Sequence, residues 1–241
     1  MSRSLAWFLV FVAALAVGGA LGAWLLGPSV VSLAFDEERR NAPYYLLHLV
    51  GAVPDGRDTR EFRRELAELV VADGGRLLWP ATTIQVAEGR VEDEWRDLQL
   101  FEFDRGGDLV EMLTSASYRE LTARHAPTTN LVLGTDRAPD AIAAGGAVLL
   151  NLYAVNEAAT DEFVSAAREL SGSLASESGR LLWDAPLTGL EGEVPWTHVL
   201  LFAFDDVKAA EDWLRDPATI TRRTLVKRGA TLTVTLILRS A

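Results

Sequence analysis

The chain has 241 residues, 49% of them hydrophobic, enough for a sizeable buried core. Its 34 acidic and 23 basic residues give a net charge of −11; Arg3 is the only charged side chain before Val30, so the remainder carries −12, which argues against nucleic acid or anionic lipid surfaces as partners. Cysteine is absent, excluding disulfides, thiolate nucleophiles, iron–sulfur clusters and cysteine-ligated zinc.

The first predicted element is an uncharged aliphatic run from Leu5 to Leu26, with Trp7 near one end and Trp24 near the other. As a helix it would span about 33 Å, against a hydrocarbon core of about 30 Å, with the tryptophans in the interfacial belts. A cleavable signal peptide is the rival, since Gly18-Gly19-Ala20 offers a cleavage site and Arg3 a basic n-region. The apolar run continues past that site, so an uncleaved anchor over residues 1–28 is the reading adopted. The expectation is a single-pass protein of the cell (inner) membrane whose partner is the bilayer through Leu5 to Leu26, with the remaining domains outside the cytoplasm. Residues 29–42 then read as a juxtamembrane linker whose solvated part is Asp36 to Arg40.

Beyond the linker, Tyr44 to Ala52 is predicted as a strand, and Asp58-x-x-Glu61 as a capping box opening a helix that carries Phe62, Leu66 and Leu69 on one face. A second strand runs from Arg76 to Val86, a third from Trp95 to Phe103. A helix from Asp108 to Arg124, broken near Ser115, and a strand from Thr129 to Gly134 complete the unit. Residues 135–146, with Pro139 and Gly145-Gly146, read as a linker. The same order then returns. Val148 to Val155 is a strand, and a helix after Thr160 carries Phe163, Ala167, Leu170 and Leu174. Strands Arg180 to Leu190 and Trp196 to Phe204 come next, then a helix from Val207 to Lys227 broken at Asp216-Pro217, and a strand from Thr231 to Leu238.

The recurrence extends to the residues themselves. Gly75-Arg76-Leu77-Leu78-Trp79 returns as Gly179-Arg180-Leu181-Leu182-Trp183, Glu88-Gly89 as Glu191-Gly192, Trp95 as Trp196, and Phe101-Glu102-Phe103 as Phe202-Ala203-Phe204. A period near a hundred residues is the size of a small domain, so the chain reads as two tandem repeats, 43–134 and 147–241. Each βαββαβ repeat is ferredoxin-like, an antiparallel sheet with both helices on one face. The α+β fold expected is a pair of such repeats covering each other's bare sheet faces as an intramolecular dimeric α/β barrel, leaving the soluble part monomeric.

The Gly75 to Trp79 motif, Phe101-Glu102-Phe103 and Tyr118 in a Ser-x-x-Tyr turn resemble the bacterial domain of unknown function 1330, within the dimeric α/β-barrel superfamily. Members commonly carry an aspartate- or serine-proline before the tyrosine. Here the first repeat has Ala116 at the proline position, and the second keeps Asp216-Pro217 but has Ala203 for the glutamate and Thr219 or Ile220 near the tyrosine. Any site the resemblance implies is therefore expected in one half or in neither.

Alternation on the third strand puts Phe101 and Phe103 on one face, under the helices, and Glu102 on the other, between the sheets. Burial there would raise the carboxyl pKa unless Arg76 or Arg180 pairs with it. The functional reading is a base or ligand anchor; the structural one is a charge pair plugging the barrel end. His48 and Asn151 are matching lone polar residues of the first strands, either satisfied core groups or neighbours of Glu102 in a central cavity. Arg76 and Arg180 would grip a carboxylate or phosphate from two sides or neutralise local acid, and Trp79 and Trp183 would line the site or fill the core. His48, His125 and His198 have no metal-site spacing, and no metal is expected. Haem-binding barrels of related architecture use a histidine, here His125 or His198, but no partner pattern accompanies either, and no cofactor is expected.

The candidate ligand-binding set is thus Glu102, His48, Asn151, Arg76, Arg180, Trp79 and Trp183. The function expected is non-catalytic small-molecule binding or a structural role. The alternative is a cofactor-independent monooxygenase- or isomerase-like enzyme using Glu102 and His48 between the repeats.

Overall fold

A computed structural model describes residues 35–53, 59–89, 95–142, 146–174, 179–192 and 194–240. The expected anchor, its cleavage site and the capping Asp58 lie outside these residues. Among them no helix is long and apolar enough to cross a membrane. They form α1 (Glu37–Asn41), β1 (Tyr44–Val50), α2 (Thr59–Ala72), β2 (Gly75–Glu88), β3 (Asp97–Phe103), α3 (Gly106–Thr114), α4 (Ala116–His125) and β4 (Asn130–Thr135). Then follow β5 (Ala147–Val155), α5 (Thr160–Ser173), β6 (Gly179–Pro186), β7 (Thr188–Glu191), β8 (His198–Phe204), α6 (Val207–Arg215), α7 (Pro217–Arg228) and β9 (Ala230–Ser240).

The strands make one antiparallel sheet in the order β6-β8-β5-β9-β2-β3-β1-β4-β7. Its first and last members, β6 and β7, are consecutive in the chain and separated only by Leu187, so the sheet closes into a barrel and leaves few edges to protect. Residues 44–135 follow the order β2-β3-β1-β4, and residues 147–240 the same order, β6-β8-β5-β9. The second strand of each half joins them. The start of β2 pairs with β3 and its end with β9; likewise β6 pairs with β8, and its continuation β7 with β4.

Three apolar layers follow. The barrel interior holds Leu47, Leu49, Leu98 and Leu100 from one half, Leu150, Leu152, Val199 and Leu201 from the other, and Trp79, Trp95, Trp183 and Trp196. Trp95 and Trp196 meet edge to face, ring centres 6.0 Å apart. They precede β3 and β8 rather than opening them, a difference from the expected boundaries. Outside the barrel, α2, α3 and α4 cover one half and α5, α6 and α7 the other. Sandwiched between interior and helices, β1 is buried at every position, which explains its apolar run of Tyr44 to Val50.

The helix breaks fall where the sequence places them, and for one reason. Ser115 and Asp216 are extended (ψ 156° and 130°), and each side chain accepts from the backbone N–H three residues on, Tyr118 at 3.1 Å and Thr219 at 2.7 Å. These are N-caps, so Ser115 restarts its helix without the proline that follows Asp216. On α2 the buried stripe is Phe62, Leu66 and Val70, with Leu69 to one side.

The described parts of the two expected linkers, 35–42 and 135–142, are packed. Phe35 is buried against Tyr44, ring centres 4.6 Å apart, and Asp36 caps α1. Residues 136–142 run beside the free edge of β6, where Asp140 N donates to Leu182 O (2.7 Å) and Trp183 Nε1 to Arg137 O (2.8 Å).

Gly89 and Gly192, ending the repeated Glu-Gly pairs, have φ of +89° and +88°. A Cβ would stand 2.4 Å from Thr233 O at Gly89, and 3.0 Å from Asn130 O at Gly192. Both alanine substitutions strain a left-handed backbone, and Gly89→Ala adds a backbone clash. Gly89→Ala is therefore expected to cost about 2–3 kcal/mol, against about 1 for Gly192→Ala. Urea unfolding of the two variants checks the order.

Candidate functional site

Strand register creates one charged row inside the barrel mouth. Arg76 on β2 lies opposite Glu102 on β3, which lies opposite Tyr45 on β1. Glu102 shares its face with Leu98 and Leu100 of the interior, as alternation predicts. Arg76 Nε donates to Glu102 Oε2 at 2.6 Å, and its Nη2 meets the same oxygen. Tyr45 Oη makes a long 3.4 Å contact with Oε1. Burial first, then the Glu102 charge, raises the Tyr45 phenol above its usual pKa and keeps it a donor.

This row borders a cavity of about 360 Å³. Its other walls are Leu78, Leu100 and residues 138–142 of the inter-half segment, including Asp140 and Ile142. The Glu102 side chain is 13% exposed and that of Arg76 is 68% exposed, so the pair is a half-sheltered donor–acceptor couple at an opening. In the other half the row reads Arg180, Ala203, Val148. With no carboxylate opposite, Arg180 reaches the segment instead, its Nη2 donating to Ala141 O at 3.1 Å.

Of the seven candidate residues, the structure brings Arg76 and Glu102 to the cavity and places the other five elsewhere. His48 and Asn151 do not join Glu102, because their neighbours Leu47, Leu49, Leu150 and Leu152 take the interior and the alternate positions face the helices. Arg180 does not line the Glu102 cavity, so there is no two-sided arginine clamp. Trp79 and Trp183 are buried in the barrel filling, 3% and 2% exposed, and line no part of that cavity. Tyr45 and Asp140, which the sequence reading passed over, do line it. Tyr45 was legible as one of only two tyrosines opening β1; the folded-back segment left no signal.

His48 belongs to a network that explains Tyr118 as well. Glu191, at the end of β7, accepts from Tyr118 Oη (2.7 Å) and from Asn130 Nδ2 (2.9 Å). With its amide thus committed, Asn130 turns Oδ1 to His48, which donates from Nε2 at 2.6 Å. His48 Nδ1 is then a buried acceptor without a partner. Burial holds the His48 pKa at about 4, the Asn130 hydrogen bond opposing it, and lifts the Tyr118 phenol well above its range, with Glu191 adding to the rise.

Asn151 has the matching arrangement. Glu88, at the end of β2, accepts from Arg223 Nη2 (2.7 Å) and pairs with Lys227. Arg223 also donates to Thr235 Oγ1 (2.9 Å), whose hydroxyl donates to Asn151 Oδ1 (2.9 Å). The repeated Glu-Gly pair therefore works as a reciprocal latch. Each half sends a glutamate from its second strand onto the helix layer of the other, ending in a polar chain on the first strand.

The remaining histidines also have acid partners, His198 with Asp184 (2.6 Å) and His125 with Glu65 (3.4 Å). Among the described residues no cluster of three or more metal-ligating side chains occurs.

No family model matches the chain, and no curated protein matches it. Solved structures do resemble it. An anthrone oxidase-like protein is 17% identical, with a TM-score of 0.57 over 83% of this chain and 94% of the other. A monooxygenase-like protein from Lactobacillus acidophilus NCFM is 14% identical (TM-score 0.52, 83% and 94%). Another from Fusobacterium nucleatum is 8% identical (0.52, 83% and 92%). At such identities the likeness is one of fold, a ferredoxin-like α/β barrel, and carries no activity with it.

Proposed function

We propose that the chain is a membrane-tethered tandem pair of domains of the unknown-function-1330 kind, comprising 43–134 and 147–241, that binds a small polar molecule at one barrel mouth without transforming it. Residues 5–26 supply the tether, and internal pairing of the halves leaves the protein monomeric. The observation that carries the reading is the Arg76–Glu102 pair beside a cavity of about 360 Å³, within the usual size of small-molecule sites. Its absence from the other half supports a site over a plug: closure of the second row is managed with Ala203 and no carboxylate. A fitting ligand offers adjacent donor and acceptor groups to Glu102 and Arg76 and an apolar body to Leu78, Leu100 and Ile142.

A thermal-shift screen of the full chain against small hydroxylated and carboxylated aromatics tests this. Stabilising compounds are expected to act on the wild type and on Arg180→Ala, and to lose their effect by about tenfold in concentration with Glu102→Ala, as removal of one charge-assisted contact implies. Shifts that persist in Glu102→Ala would remove the site. A cofactor-independent monooxygenase- or isomerase-like enzyme is the second reading. The same carboxylate beside the same cavity favours it, together with the neighbours' names, but the helper expected in His48 is on the opposite face of the sheet.

A further inference from the structure

A second concavity lies on the outer surface. It is a groove of about 610 Å³ between α2 and β2, walled by Ala67, Val71, Leu77 and Pro80 and lined also by Arg63 of α2 and Gln99 of β3, within the usual size of small-molecule sites. Val71 is 62% exposed, the most exposed large hydrophobic side chain among the described residues.

Two polar atoms of opposite sense are left over at this groove. Gln99 is 2% exposed; its Nε2 donates to Arg63 O (3.1 Å), and its Oε1 has no partner. Because Arg63 O can only accept, the amide cannot turn over, and the atom left over is an acceptor that needs a donor. Arg63 Nε is a buried donor without an acceptor, while Nη1 of the same guanidinium stands 2.9 Å from the Asp97 carboxylate.

The other half folds without this pair. Aligning Phe62 with Phe163 and Phe101 with Phe202 puts Val164 at Arg63 and Leu200 at Gln99, and Leu200 is fully buried. An apolar side chain therefore suits the same strand position, whereas Gln99 keeps an acceptor out of water with no donor, which costs stability unless an occupant supplies one. An ionised carboxylate would serve Arg63 but offers Gln99 no proton; an ammonium donates to Gln99 but cannot accept from Arg63; a hydroxyl must serve both from one oxygen. A neutral primary carboxamide meets both needs at adjacent atoms, its N–H donating to Gln99 Oε1 and its carbonyl accepting from Arg63 Nε, with an apolar body left for Val71, Leu77 and Pro80.

We propose that the groove between α2 and β2 is a second ligand site that takes a small neutral primary carboxamide on an apolar body, anchored by Gln99 and Arg63. The site does not depend on the mouth cavity. The test is photolabelling of the full chain, in lipid nanodiscs, with a diazirine-bearing naphthylacetamide, followed by peptide mass mapping. Label is expected on residues 60–80, competed by naphthylacetamide but not by methyl naphthylacetate, which only accepts, nor by naphthylethanol. It is expected to fall about tenfold in Gln99→Leu, the loss corresponding to one buried hydrogen bond. That substitution copies Leu200 and removes an unsatisfied atom, so the fold is retained, and a urea midpoint no lower than that of the wild type verifies it. Val71→Asp, at an exposed position, spoils the apolar wall without touching the core, and is expected to weaken labelling independently of Gln99→Leu. Glu102→Ala should leave the labelling intact. Equal competition by the ester or the alcohol, unchanged labelling of either groove variant, or label spread over other peptides would overturn the proposal.

Discussion

Replacing Glu88 by alanine is expected to lower the unfolding free energy by about 3–5 kcal/mol, the cost of leaving a buried charge without its partner. The charge is Arg223, whose side chain is 8% exposed and whose ionic partner is the Glu88 carboxylate. Lys227, on the same carboxylate, loses its partner too. The effect should exceed that of Glu191→Ala, about 2 kcal/mol, because Glu191 receives only the neutral donors of Tyr118 and Asn130. Adding Arg223→Met to Glu88→Ala removes the stranded charge and should restore most of the loss. Urea titrations of the four proteins check both statements. A cost below about 1 kcal/mol for Glu88→Ala would mean that the latch does not hold the halves together.

Acid should weaken the fold earlier than carboxylate protonation alone predicts. The His48 pKa is depressed from 6.5 to about 4 by burial, so the native state keeps the ring neutral while the unfolded chain takes up a proton. Stability is then complete above about pH 6.5, declines as pH falls towards 4, and levels off for this group below that. A shift of this size corresponds to about 3 kcal/mol. His48→Asn, which copies the equivalent Asn151, should remove most of that slope while sacrificing the ring contact with Phe62 (5.9 Å between ring centres). Denaturant midpoints at pH 7 and pH 4.5 decide it. Parallel losses in wild type and His48→Asn would contradict the assignment.

The parts of the fold legible in the sequence are those written twice. Strand, helix and break positions recur in both halves, and the breaks are marked by local capping chemistry at Ser115 and Asp216. Glu102 was placed correctly because large aromatics flank it and declare which face packs under the helices. The side of His48 stays open in the sequence, since β1 is apolar at nearly every other position and offers no contrast between its faces. Its side is set by register, Tyr45 opposite Glu102 and His48 opposite Gln99, and a slip of one residue would exchange them. The Glu88-Gly89 and Glu191-Gly192 match was visible as a repeat, but its partners lie in the opposite half, more than sixty residues away in the chain. Residues 136–142 carry ordinary loop composition; their place beside β6 depends on where β4 ends.

The claim that the Arg76–Glu102 mouth is a binding site is tested most directly by native mass spectrometry of the full chain, titrated with the compound that stabilises it best. The expected result is a monomer that takes up one molecule of compound, with uptake abolished in Glu102→Ala and retained in Arg180→Ala. Uptake of several molecules, or of one molecule equally well by Glu102→Ala, would contradict it.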